Sequence, residues 1–127
     1  MNTVKHQNFR QSIVNLDEVL LENKTAIVRD SAIKRYEICY ELSWKSIQEL
    51  LKNEGLEICN SPKNCFKDAF KLGLIENEEA FADMAQNRNL TTHTYNEDLA
   101  NKIYAQLGGY LQILTGLAKN IGKKYDI

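Results

Sequence analysis

Proline occurs once in the 127 residues, as Pro62, and glycine only six times. So few turn formers argue against a turn-rich β fold and suit long helices. Residues Met1 to Asn15 alternate polar and apolar side chains without a continuous apolar run, so neither a signal peptide nor a membrane span is read there, and the expected location is cytoplasmic. An excess of charge of one sign is missing too. Sixteen basic and seventeen acidic side chains leave a formal net charge of -1, which excludes a histone-like binder and leaves any nucleic-acid affinity to a local patch. Cysteine is sparse: Cys39, Cys59 and Cys65 are odd in number and lack CxxC spacing. That argues against a disulfide framework or a zinc site and predicts reduced thiols, with Cys39 in or beside the core and Cys59 and Cys65 able to meet near a turn, as structural residues rather than for redox chemistry. Repeats, low-complexity tracts and linkers are absent as well, and the length suits one domain burying roughly two-thirds of the surface its unfolded chain exposes.

What is present is helical periodicity, in a chain 43% hydrophobic and 26% charged. Phe9, Ile13, Leu16 and Leu20 recur at steps of three and four, predicting a first helix that ends near Asn23 or Lys24. Ile33, Tyr36, Tyr40, Trp44, Ile47 and Leu51 form the stripe of a second, between Asp30 and Glu54, broadened by Cys39, Leu42 and Leu50 and stopped by Gly55. Ser61 and Pro62 read as N-cap and first residue of a third helix carrying Phe66, Ala69 and Phe70 and ending near Gly73. A fourth begins around Asn77 with an acidic first turn and runs through Phe81 and Met84 toward Arg88. Asn96 caps the last, whose apolar face is Leu99, Ile103, Leu107, Tyr110, Leu114 and Ile121 and whose end carries Lys119, Lys123 and Lys124. The expected fold is an all-α, up-and-down bundle of about five helices. The wide stripe of the second helix points to self-association as well as core packing.

The chemistry gathers in Arg88-Asn89-Leu90-Thr91-Thr92-His93-Thr94-Tyr95, which puts a fixed cation, an imidazole, hydroxyls and a phenol just before a helix start. A His moves protons near neutral pH, and an Arg neutralises a phosphate without titrating. His93 would take a proton from a ribose 2′-hydroxyl or give one to the leaving oxygen while Arg88 holds the scissile phosphate, cutting RNA without a metal and leaving a 2′,3′-cyclic phosphate. On an unbroken helix five positions span about 500°, so the two side chains would diverge by roughly 140°. Either the helix ends between them or two subunits converge. Taken alone, one Arg and one His at this spacing more often mark a helix-terminal His satisfied by a neighbour.

Context reverses that weighting. Asp30-Ser31-Ala32-Ile33-Lys34-Arg35-Tyr36-Glu37, Tyr40-Glu41-Leu42-Ser43-Trp44-Lys45, Ser61-Pro62, Phe66-Lys67-Asp68-Ala69-Phe70-Lys71-Leu72-Gly73-Leu74-Ile75 and the stretch from Arg88 to Tyr95 together resemble the nucleotidyltransferase substrate-binding proteins of the HEPN superfamily. The similarity runs in order and register over roughly residues 28 to 110. It implies one HEPN-like helical-bundle domain over residues 1–127, a homodimer, and a minimal nucleotidyltransferase as partner, the pair often acting as toxin and antitoxin. The superfamily's catalytic pattern is Arg, four to six residues, then His, with a polar residue often after the Arg. Arg88 and His93 match as catalytic residues and Asn89 as support, and two such motifs are expected to face each other across the dimer. In related toxins a Tyr two residues beyond the His receives AMP from the nucleotidyltransferase; Tyr95 stands at that place, where an anionic adduct would repel an RNA phosphate. The other account of Tyr95 is a phenol packed beside the last helix.

Two functional readings follow: a metal-independent endoribonuclease toxin acting on RNA, tRNA included, or a non-catalytic substrate-binding subunit that completes a partner nucleotidyltransferase's site around a nucleotide. In the second, Arg88 and lysines hold a phosphate. Lys63, Lys67 and Lys71 form a basic ridge on the third helix for RNA phosphates or an acidic partner, although a solvated face is the simpler account. Tyr36, Tyr40 and Trp44 are read as core or interface rather than a base-stacking platform. Glu37 and Glu41 pair with Arg35 or Lys45, or reach Arg88 across a dimer, unless they are merely solvated. His6 has no companion ligands and no assigned task. No Walker loop, dinucleotide fingerprint or acidic triad for a metal is present, so the chain is not itself the nucleotidyltransferase and no cofactor is implied.

Overall fold

The computed structural model describes residues 1–127. Five helices follow one another, α1 (Val4–Leu20), α2 (Ala26–Asn53), α3 (Pro62–Lys71), α4 (Glu78–Leu90) and α5 (Glu97–Lys124), with a short 3₁₀ turn, Thr91–His93, between the last two. No strand is present, as the sparse turn formers foretold. No helix is long and apolar enough to cross a membrane.

Four of the five helices begin at a side chain suited to the task. Thr25, Ser61, Asn77 and Asn96 each accept a hydrogen bond from the backbone N–H three residues on, at 3.1–3.2 Å, relieving one of the orphan donors of a helix start. Thr25 also explains why α2 starts a turn earlier than the Asp30 boundary predicted, since it caps Ala26–Asn53. Gly55 and Gly73 end α2 and α3 with φ of 69° and 74°. Past each, the chain closes a paired C-terminal bond: Leu56 N donates to Leu51 O at 2.9 Å with Gly55 N to Lys52 O, and Leu74 N to Ala69 O at 2.9 Å with Gly73 N to Phe70 O. That left-handed position is why glycine belongs there. α1 stops at Leu20 rather than Asn23 or Lys24, because Leu21 is already exposed and only polar residues follow it.

The core lies where α1, α2 and α5 pack together; α3 and α4 close it on the flank of α2. Phe9, Leu16, Tyr36, Ile47, Ile103, Leu107, Leu114 and Ile121 are all fully buried. The broad stripe of α2 is used within a single chain, since α1, α5, α3 and α4 all rest against that helix. Its width therefore needs no second subunit. Of that stripe Trp44 is only part-buried, its Nε1 donating to Glu41 at 3.2 Å, and Phe70 on α3 is exposed.

Two expectations are corrected here. Cys59 and Cys65 form a disulfide, their Cα atoms 5.1 Å apart; only Cys39 is a free, buried thiol. The reversal at Gly55 and the helix start at Ser61 fold residues 56–60 back along α3, and Gln48 Nε2 holds the loop through Cys59 O at 2.7 Å. The two cysteines thus meet near the turn, as their positions allowed, but as a bonded pair rather than as reduced thiols. His6 is fully buried rather than idle: its Nε2 lies 2.9 Å from Ala118 O, and its ring packs on Tyr125.

Candidate active site at the end of the fourth helix

Arg88 lies in the last turn of α4, two residues before the helix gives way to the 3₁₀ turn. Thr91, which is buried, makes that change of pitch. Its Oγ1 donates to Arg88 O at 2.7 Å, satisfying a terminal carbonyl, and accepts from Arg88 Nη1 at 3.0 Å. The α-helix thus ends between Arg88 and His93, the first of the two geometries the spacing allowed. No hydrogen bond or ion pair joins the two side chains within one chain.

The guanidinium is held from a second side. Glu37 on α2 places Oε2 3.7 Å from Arg88 Nη2, both side chains about three-quarters buried at 22% and 25% exposure. The pairing is within one chain, not across a dimer. Glu41 meets Trp44, Arg35 donates to Asn15 O at 2.6 Å, and neither engages Glu37.

Beneath Arg88 lies an aromatic bed. Tyr36 stacks on Tyr110 with ring centroids 5.5 Å apart, and its hydroxyl donates to Met84 O, one turn before Arg88, at 2.5 Å. Tyr110 accepts from Asn87 Nδ2 at 2.7 Å and donates to Asp83 at 3.2 Å, tying α5 to α4. Burial raises the Tyr36 hydroxyl's pKa far above its ordinary value, with Tyr110 and Tyr40 adding to the rise and Arg88 opposing it. Burial pushes Tyr40 up to about 12, Glu41 adding and Arg88 opposing. Both phenols stay neutral, and Tyr36 serves as a donor rather than a base.

His93 and Tyr95 are exposed, Tyr95 84% so. The Tyr95 hydroxyl lies 3.4 Å from His93 Nδ1, and the two rings meet edge to face with centroids 5.9 Å apart. Tyr95 is therefore not packed beside α5. Asn89 is exposed, its carbonyl accepting from Thr92 at 3.2 Å.

Lys63, Lys67 and Lys71 are all exposed on α3. Lys67 and Lys71, but not Lys63, line a cleft of about 560 Å³ with Leu56, Ile58 and Asp68. No residue from Arg88 to Tyr95 borders that cleft, so the ridge and the loop are separate places. Thr91 lay within the dense loop and Tyr36 within the aromatic stripe, but neither was assigned its contact around Arg88, and the Asn87–Tyr110–Asp83 link carried no sequence signal. Glu37 did, through its charge on α2, but only the packing of α4 on α2 selects its partner.

Comparison with known proteins agrees with the fold. The family described as "Nucleotidyltransferase substrate binding protein like" matches residues 4–123. A Haemophilus influenzae protein called "Probable ribonuclease HepT" is 29% identical over 113 residues, covering 82% of this chain and 77% of that one. A Thermus thermophilus protein of known crystal structure superposes with a TM-score of 0.81 at 36% identity, over 89% of this chain and 98% of that one. A second solved structure, from Haemophilus influenzae and described as the fold of a substrate binding domain of a nucleotidyltransferase, shares the fold with a TM-score of 0.70 at 22% identity over 93% of this chain and 94% of that one. With the match running nearly end to end, the chain belongs to the nucleotidyltransferase substrate binding protein like family.

Proposed function

We propose that this protein is the HEPN subunit of a two-component module, a metal-independent endoribonuclease toxin of the cytoplasm whose partner nucleotidyltransferase silences it by transferring AMP to Tyr95. The observation that carries the reading is the division of labour after α4. Arg88 is hydrogen-bonded to Thr91 and lies beside the Glu37 carboxylate, while His93 is exposed with one ring nitrogen 3.4 Å from the Tyr95 hydroxyl. A rigid cation suits a phosphate whose charge grows in the transition state, and an accessible imidazole suits proton transfer.

In the homodimer two such loops face one RNA strand. One His93 takes the proton of a ribose 2′-hydroxyl, and that oxygen bonds to phosphorus. The bond to the 5′-oxygen breaks, with the second His93 supplying the proton. Arg88 balances the charge on the phosphoryl oxygens, and Asn89 supports from the next position. AMP on Tyr95 would put an anion beside His93 and repel the substrate phosphate. The relative called a probable ribonuclease supports this reading.

The other reading is a non-catalytic subunit that binds substrate or a nucleotide for the nucleotidyltransferase, through Arg88 or through Lys63, Lys67 and Lys71. The description of the family favours it. Cleavage of labelled cellular RNA, tRNA included, by unmodified protein in excess EDTA separates the two. Cutting that needs His93, is lost in His93→Ala and leaves cyclic phosphates supports the ribonuclease. No cutting by verified dimer, together with nucleotide affinity that rises in the mixed complex, supports the binding subunit.

A further inference from the structure

Arg88 carries five N–H donors, and the structure satisfies them unevenly. Nη1 donates to Thr91 at 3.0 Å. Nη2 lies 3.7 Å from the Glu37 carboxylate, near enough for charge attraction but beyond a hydrogen bond. Nε is buried and has no partner. In a guanidinium, Nε–H and one N–H of Nη2 point to the same side and form a fork that matches the two oxygens of a carboxylate. A buried, unpaired donor on that edge calls for an acceptor. Glu37 is the one carboxylate within 4 Å of the guanidinium, and it has no hydrogen bond of its own, only the loose pairing to Nη2.

We infer that Glu37 is the positioning residue of Arg88, its carboxylate closing on the Nε and Nη2 edge so that the remaining N–H groups point to the Thr91–His93 turn and hold a substrate phosphate there. The inference rests on the reading of Arg88 as the phosphate-holding cation. It adds a role for α2, which contributes no residue to the Arg and His pattern. A carboxylate at this edge serves catalysis by fixing the plane of the guanidinium before substrate arrives, which saves reorganisation in the transition state. A carboxylate that merely stood in for the phosphate in the free protein would instead compete with it, and its removal would speed cleavage.

The test uses the full chain as Glu37→Gln, Glu37→Asp and Arg88→Lys, with thermal melts to confirm folding. The Arg88 Nε–Hε signal of ¹⁵N-labelled protein, assigned by its loss in Arg88→Lys, is expected to be ordered and slow to exchange in the wild type. In Glu37→Gln it should become mobile and fast to exchange. In the RNA assay, Glu37→Gln should lower kcat by roughly 10- to 100-fold with KM changed less than about twofold, and Glu37→Asp should recover part of the loss. An unchanged Nε–Hε signal in a folded Glu37→Gln protein overturns the inference whatever the RNA assay shows. So does cleavage equal to or faster than wild type. If the wild type cuts no RNA, the ribonuclease reading fails, and the signal still decides whether Glu37 orders Arg88.

Discussion

The first helix begins without a cap of its own, and the residue that replaces it lies on another helix. Thr3 occupies the N-cap position of α1 but makes no side-chain bond there. Glu49, buried on α2, instead accepts from Lys5 N at 2.9 Å with Oε2 and from His6 N at 3.1 Å with Oε1. These are the second and third N–H groups of the helix, the ones an N-cap side chain ordinarily serves. The anion also sits at the positive end of the helix dipole. Each charge-assisted bond of this kind contributes about 1.5–3 kcal/mol. Glu49→Gln keeps one acceptor, loses the charge and turns an amide donor toward an N–H, so a loss of about 2–3 kcal/mol is expected. For 127 residues, at about 2.1 cal/mol/K of unfolding entropy per residue, that lowers Tm by roughly 7–11 °C. Thermal and urea unfolding at pH 7, with hydrogen exchange at Lys5 and His6, measure it. A fall of under about 2 °C with both amides still protected would refute the claim that Glu49 caps α1.

Four further outcomes follow from the same structure. Reducing the Cys59–Cys65 bond, or replacing both with Ser, should cost about 2 kcal/mol by loop-closure entropy; a thiol count in denaturant without reductant should find only Cys39, and three thiols would contradict the bond. Burial raises Cys39 from 9.0 to about 11 and Tyr40 from 10.0 to about 12, so the unfolded chain ionises first and stability falls as pH climbs from 9 toward 12. Unfolding free energies from urea titrations should hold steady below pH 9 and drop by about 1.4 kcal/mol per pH unit for each ionising group above its unfolded value, with Cys39→Ala flattening the 9 to 10 portion and lowering the slope from 10 to 11. Thr91→Val removes both bonds to Arg88 and should cost about 1–2 kcal/mol by urea unfolding, while slowing RNA cleavage as a displaced Arg88 would. Gly109→Ala, in mid-helix with nothing within 4 Å of an added Cβ, should stabilise α5 by about 0.5–1 kcal/mol in thermal melts.

Much of the architecture was legible because helix formation is local. Periodic Phe9, Ile13 and Leu16, the caps at Ser61, Asn77 and Asn96, and the stops at Gly55 and Gly73 each act within a few residues, so the order of five helices and most of their boundaries follow from reading along the chain. The loop from Arg88 to Tyr95 stood out for the same reason, as a dense run of chemically able side chains. Whatever depends on approach between distant residues was not legible. Glu49 capping α1 spans 44 residues, the tie from Tyr110 to Asn87 spans 23, and His6 meets Ala118 across 112.

By itself the sequence determined that the chain is helical, where its helices start and stop, and which residues could do chemistry, since propensity, capping and apolar periodicity are short-range forces. The tertiary structure alone decided that Arg88 rather than Arg35 or Lys45 is the counterpart of Glu37, that Cys59 and Cys65 bond, and that Lys67 and Lys71 of the ridge on α3 line a cleft apart from His93. Those outcomes depend on how α2, α3 and α4 pack against one another, and packing is settled by burial of the whole core at once.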